Sequence, residues 1–112
     1  METAFHLSAG DVSDWRAALA NVVNFLDDDQ VDADPVLVTN GNAAYAVLES
    51  SPVADGVRDL LTDGAEVCVC EYSLASRDLD PDDLIAGVEI VSSGVGEVTR
   101  RQADGAAYVK LP

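Results

Sequence analysis

Two thiols and one imidazole are the side chains of this 112-residue chain best suited to covalent or proton chemistry: Cys68, Cys70 and His6. Cys70 ends a short apolar run, Glu66–Cys70, and precedes what reads as a helical turn. A thiol at a helix N-terminus has a lowered pKa, so more nucleophilic thiolate is present near neutral pH. Glu71 and the acidity of the whole chain push the other way. The residue is either such a nucleophile or a small buried hydrophobe. Cys68 lies two positions earlier on the same strand face and reads as core. A disulfide between the two is excluded by reach, because i and i+2 of an extended strand sit about 6.5–7 Å apart. Zinc needs four ligands, or three and a water. The sole histidine, His6, lies on a different segment, so no metal is expected. His6 is either a satisfied core histidine or a proton carrier for Cys70, the latter only if their strands adjoin. Ser8, Ser92 and Ser93 lack both a nucleophile elbow and a second histidine, which argues against a hydrolase triad. Gly94–Gly96 lacks the spacing of a dinucleotide fingerprint, and no cofactor is expected.

These side chains must be positioned by the elements around them. Thr3–Leu7 reads as a strand and Ser8–Asp11 as a turn. Val12, Trp15, Leu19, Val22 and Leu26 recur at helical spacing. Asp11 or Ser13 can cap that helix. Asp27–Asp29 should stop it, since negative charge opposes the dipole at a helix C-terminus. Pro35–Thr39 is a short apolar run suited to a buried strand. Ala44, Val47 and Leu48 form one face of a short helix. Ser51 and Pro52 signal a new helix, which Gly64 ends. Glu66–Cys70 and Val88–Val91 follow as strands, with a helical turn from Asp80 to Gly87 between them. A helix from Val95 to Gly105 and a last strand, Ala106–Leu111, complete the chain. Arg100 and Arg101 complement the final helix dipole and could pair with acids of a neighbouring subunit. The alternation predicts an α/β domain over residues 1–112, with a mainly parallel five-stranded sheet between helix layers. In such sheets ligands bind beyond the carboxyl ends of the strands. The segments there are Ser8–Asp11, Thr39–Gly41, Cys70–Ser73 and Ser92–Gly94, and they should cluster on one edge.

Composition narrows the function. Six Lys+Arg oppose 21 Asp+Glu, for a formal charge of −15. Apolar residues are 48% of the chain, enough for a core, which excludes intrinsic disorder. The deficit of cations argues against nucleic acid and against an anionic membrane. No apolar run is long enough to span a bilayer, and the first residues lack a secretory pattern, so a cytoplasmic location is expected. Asp outnumbers Glu 15 to 6. At about 1 M salt the Debye length is about 3 Å, and self-repulsion nearly vanishes. The charge is spread along the chain, which reads as adaptation to a salty cytoplasm.

The motifs taken in order resemble the DsrE/DsrF-like (YchN-like) family of small sulfur-relay proteins. They are His6–Asp11 (HLSAGD), Trp15 with Leu19–Leu26 (LANVVNFL), Val38–Gly41 (VTNG), Cys70–Leu74 (CEYSL) and Gly87–Val95 (GVEIVSSGV). Gln102 and Gly105–Lys110 (GAAYVK) close the series. The resemblance implies a three-layer α/β/α fold and a homo-oligomer, commonly a trimer or hexamer. It implies that Cys70 accepts sulfur from a donor protein as a persulfide and passes it to an acceptor thiol. Asn40, Gly41 and the N–H groups near Tyr72 and Ser73 would then bind the charged sulfur, with His6 nearby. The other reading is a non-catalytic oligomeric module, or complex subunit, whose strand-end pocket holds an anion or a partner loop.

Overall fold

The computed structural model describes residues 1–112. Five strands form one sheet: β1 (Glu2–Leu7), β2 (Asp34–Thr39), β3 (Glu66–Cys70), β4 (Glu89–Val91) and β5 (Ala107–Lys110). Their order is β4-β3-β2-β1-β5, and every pairing is parallel, so the sheet is wholly rather than mainly parallel. Four α-helices connect them: α1 (Val12–Leu26), α2 (Ala54–Thr62), α3 (Glu71–Ser76) and α4 (Gly94–Ala103). No helix is long and apolar enough to cross a membrane.

The period-2 rule divides the strand residues between two unequal faces. Phe5, Leu7, Leu37, Val67 and Val69 point to one face, where α1, α2, α3 and a 3₁₀ helix at Gly41–Val47 bury them in the main core. Phe5 meets Phe25 of α1 edge-to-face, with ring centroids 5.1 Å apart. The other face carries smaller residues, Ala4, Val36, Val38 and Cys68, and packs on Val98 of α4. Small side chains there let one helix approach closely enough to cover it. The central strand β2 is buried from Pro35 to Thr39, as expected for a strand enclosed on both sides.

Local signals explain most boundaries. Asp11 caps α1 by accepting from the Ser13 N–H at 2.7 Å, and α1 stops at Leu26, before the aspartate run. Three sequence expectations shift. The segment after β2 is a 3₁₀ helix over Gly41–Val47; Leu48 leaves it to form an isolated antiparallel bridge with Leu84. That same bridge cuts the helical turn after Asp80 to Pro81–Asp83. Helix α2 begins at Ala54 rather than at Pro52, because the Ser51 hydroxyl accepts from the Val53 N–H in a local turn.

Candidate functional site

Chain topology creates one crevice. From β1 to β4 the chain steps across the sheet in a single direction, with its connections on the main-core face. After β4 it returns to the far edge through α4, on the opposite face. The segments leaving β3 and β4 therefore diverge, α3 to one side and α4 to the other. A gap at the carboxyl ends of two neighbouring strands is where open α/β sheets bind ligands. Cys70 is the last residue of β3 and the residue directly preceding α3; its register partner is Val91 of β4.

Cys70 sits at the rim and is 6% exposed. Burial pushes its thiol up. The Ser73 hydroxyl and the N–H groups of Gly94, Ser73 and Tyr72 outweigh that, and hold it below the ordinary value of 9.0. Three of these donors belong to the first turn of α3 and one to the first turn of α4. None closes on the sulfur as a formed helix cap. Cys68 has the opposite fate. It has no exposure, and burial pushes its thiol up to about 12, so it stays protonated.

The other strand-end residues join this site through hydrogen bonds. The Gly41 N–H donates to Ser73 Oγ at 2.7 Å, tying the turn after β2 to α3. Gly41 has φ +59°, which glycine adopts without strain. Asn40 Oδ1 lies 2.9 Å from His6 Nε2, and the Tyr108 hydroxyl lies 2.8 Å from His6 Nδ1. An amide oxygen only accepts, so Nε2 donates to Asn40 and Nδ1 accepts from Tyr108. His6 does not meet Cys70 as a proton carrier. Strand β2 lies between β1 and β3, which separates their backbones by about 10 Å. Both ring nitrogens are also engaged elsewhere.

Ser73 is buried, whereas the Tyr72 ring is 74% exposed and only its backbone faces the sulfur. A shallow depression of about 380 Å³ opens beside Cys70, lined by Glu71, Tyr72, Ala75 and Ser92. It runs into a second hollow, which also reaches Leu74, Leu79, Pro81 and Ile90. Sequence reasoning placed Gly94 in a strand-end segment on the same edge as Cys70, and did not place Tyr108 at the site. Gly94 opens α4 directly behind the capping Ser93, and a glycine at that position signals close approach of something to the backbone. Tyr108 shares the alternation of its strand with the face that carries His6.

At the opposite end of the sheet, Glu66, Cys68 and Glu89 bring one potential ligand atom each within 4.8 Å of one another. The Arg101 guanidinium already donates to Glu66 at 2.8 Å, and the Cys68 thiol is protonated. A metal would need the thiolate and would face that cation. Arg101 also pairs with Glu2 and Glu97 at 2.6 Å, and Arg100 with Glu97. Both arginines thus have partners within the chain.

Comparison with known proteins agrees with this architecture. None of the curated proteins matches the sequence. Among solved structures, MTH1491 of Methanobacterium thermoautotrophicum, described as a protein of unknown function, is 31% identical. It superposes with a TM-score of 0.90 over 97% of each chain. The ychN protein of E. coli superposes with a TM-score of 0.80 over 98% of this chain and 99% of its own. At 13% identity that likeness speaks for the fold alone. Residues 16–111 match the DsrE/DsrF-like family, a span from α1 through β5 that includes Asn40, Gly41, Cys70, Ser73 and Gly94. With the wholly parallel five-stranded sheet and the cysteine at its switch point, this places the chain in the DsrE/DsrF-like family.

Proposed function

We propose that this protein is a small cytoplasmic sulfur carrier that holds sulfur as a persulfide on Cys70. The observation that carries the reading is the place of Cys70 at the carboxyl end of β3, where the first turns of α3 and α4 part to either side of it. In the loading step the Cys70 thiolate attacks the outer sulfur of a donor persulfide. A new S–S bond forms to Cys70, the donor's S–S bond breaks, and the donor leaves as a thiolate. In the unloading step an acceptor thiolate attacks the outer sulfur, and Cys70 leaves as the thiolate. Each step is an exchange at sulfur with no net oxidation, governed by thiolate fraction and access. The outer sulfur of a persulfide stands about 2 Å beyond Sγ. The depression lined by Glu71, Tyr72, Ala75 and Ser92 offers a donor or acceptor a place to dock near Cys70. The N–H groups that favour the thiolate also favour a persulfide anion.

Assembly into a homo-oligomer, a trimer or hexamer, belongs to the same proposal. Both sheet edges are open, with Ile90 on β4 and Tyr108 and Val109 on β5 each about two-fifths exposed. Unpaired edges with apolar side chains favour association.

One observation supports a second reading, a non-catalytic oligomeric binding module: Cys70 is only 6% exposed in a single chain. Intact-mass spectrometry decides between them. After incubation with thiosulfate or polysulfide, the wild type and Cys68→Ser gain the mass of one sulfur atom, reversible by reductant, and Cys70→Ser does not. With thiosulfate, sulfite is the leaving group. No adduct on the wild type at any donor excess would favour the binding module.

A further inference from the structure

Asn40 occupies the position preceding the 3₁₀ helix Gly41–Val47, where an asparagine side chain ordinarily caps. It makes no cap bond. Its amide turns instead to His6, on the neighbouring strand, and His6 is in turn held by Tyr108 of β5. On its other side Asn40 packs against Gly94, the first residue of α4. A Cβ added at Gly94 would lie 2.9 Å from the Asn40 Cβ, closer than side chains tolerate. The Gly94 contact therefore involves the stem of Asn40, not a mobile end, and only glycine fits. A departure from a local rule at the rim of a site calls for a functional account.

We infer that Asn40 is a positioning residue which, held by His6 and Tyr108, seats the first turn of α4 so that the Gly94 N–H faces the Cys70 sulfur. A line of contacts thus crosses the sheet from β5 through β1 and β2 to the crevice between β3 and β4. It gives His6 a role without contact to the sulfur. Helix α4 is the sole helix on its face of the sheet; Val98 and Arg101 hold its later turns, and Asn40 meets its first residue. The inference rests on the reading of Cys70 as the reactive thiol.

Thiolate ultraviolet absorbance, titrated across the thiol range, reads the sulfur without requiring access to it. Asn40→Ala should raise the Cys70 midpoint by about one pH unit, leaving about tenfold less thiolate at neutral pH. His6→Ala should do the same. His6→Gln keeps an N–H donor near the position of Nε2 and should restore the wild-type midpoint. A merely structural role would lower the melting temperature and leave the midpoint alone; that result in Asn40→Ala overturns the inference. Should Asn40→Ala fail to fold, the two His6 variants decide, and equal midpoints in His6→Ala and wild type overturn it as well. The persulfide assay on the same proteins separates the two claims. A shifted midpoint in a protein that never takes up sulfur supports the positioning role and defeats the relay. Uptake by wild type and Asn40→Ala at the same rate at neutral pH defeats the positioning role alone.

Discussion

The two cysteines, two residues apart on one strand face, are chemically opposite because their surroundings differ in polar donors. Cys68 lies among Ala4, Val36, Val38 and Val98, and burial, with the charges of Glu97, Glu89 and Glu66, pushes its thiol up against Arg101. Cys70 is also buried, yet its neighbours are N–H and O–H groups that favour the anion. Ser73 has two tasks there: its hydroxyl oxygen accepts from Gly41, and its hydroxyl favours the Cys70 thiolate. Ser73→Ala should therefore act twice. The Gly41 N–H loses its partner, which should cost about 1–2 kcal/mol of stability in chemical denaturation. The Cys70 titration should also move up toward 9.0, so less thiolate is present at neutral pH. A destabilised protein with an unmoved thiol midpoint would show that the hydroxyl serves packing only. The residue types of this site were legible in the sequence, since Cys70 ends a strand and Ser73, Asn40 and Gly41 follow strands. Their mutual contacts were not, because they bridge positions about 30 residues apart.

At the scale of the element, α4 decides the site. It crosses the thin face of the sheet and is fastened at both ends. Its first residue touches Asn40, and its last turn sends Arg101 to Glu2 at the start of β1 and Glu66 at the start of β3. Glu97 is buried between the two arginines. Burial pushes its carboxyl up, but Arg101 and Arg100 prevail and hold it below the ordinary 4.5. A carboxyl with a depressed folded value adds stability above its unfolded value, and that stability is lost as pH falls through the folded value. Part of the acid lability of this protein should therefore begin below about pH 4.5 and be absent in Glu97→Gln, measured as unfolding free energy against pH. Arg101→Ala leaves three acids facing one another. It should cost about 2–3 kcal/mol, below the figure for a fully buried pair because Glu66 is half exposed. A loss under 0.5 kcal/mol, roughly that of an ordinary surface substitution, would mean that Val98 packing alone holds the helix.

Across the whole molecule, charge governs the response to solvent. A formal charge of −15 on 112 residues repels itself at low ionic strength. Few of the acids are relieved by arginines: Asp55, Glu2, Glu66 and Glu97 are the ones in ion pairs. Thermal melts should therefore rise steeply as monovalent salt increases toward about 1 M, where the Debye length shrinks to about 3 Å. Sedimentation over the same range should show the proposed homo-oligomer dissociating at low salt. A melting temperature independent of salt would mean that the acids are placed for a basic partner, not for a saline solvent. The sheet is the rigid frame in all of this, and its carboxyl edge collects every candidate residue except the Arg101 cluster.

By itself the sequence determined the fold class, the five strands and the edge of the sheet where chemistry would lie. Apolar periodicity, caps and glycine stops are local signals, and parallel pairing follows from strand–helix alternation. Tertiary structure decided which strands are neighbours. That settled the fate of His6, which β2 keeps from Cys70 and which therefore reaches the site only through Asn40. It also joined Arg101 to Glu2 and Glu66 at the starts of two strands, and it set Gly94 against the Asn40 stem. Such choices depend on strand order and on the face each crossover takes. Those are set by packing the whole chain at once, and no short window of residues records them.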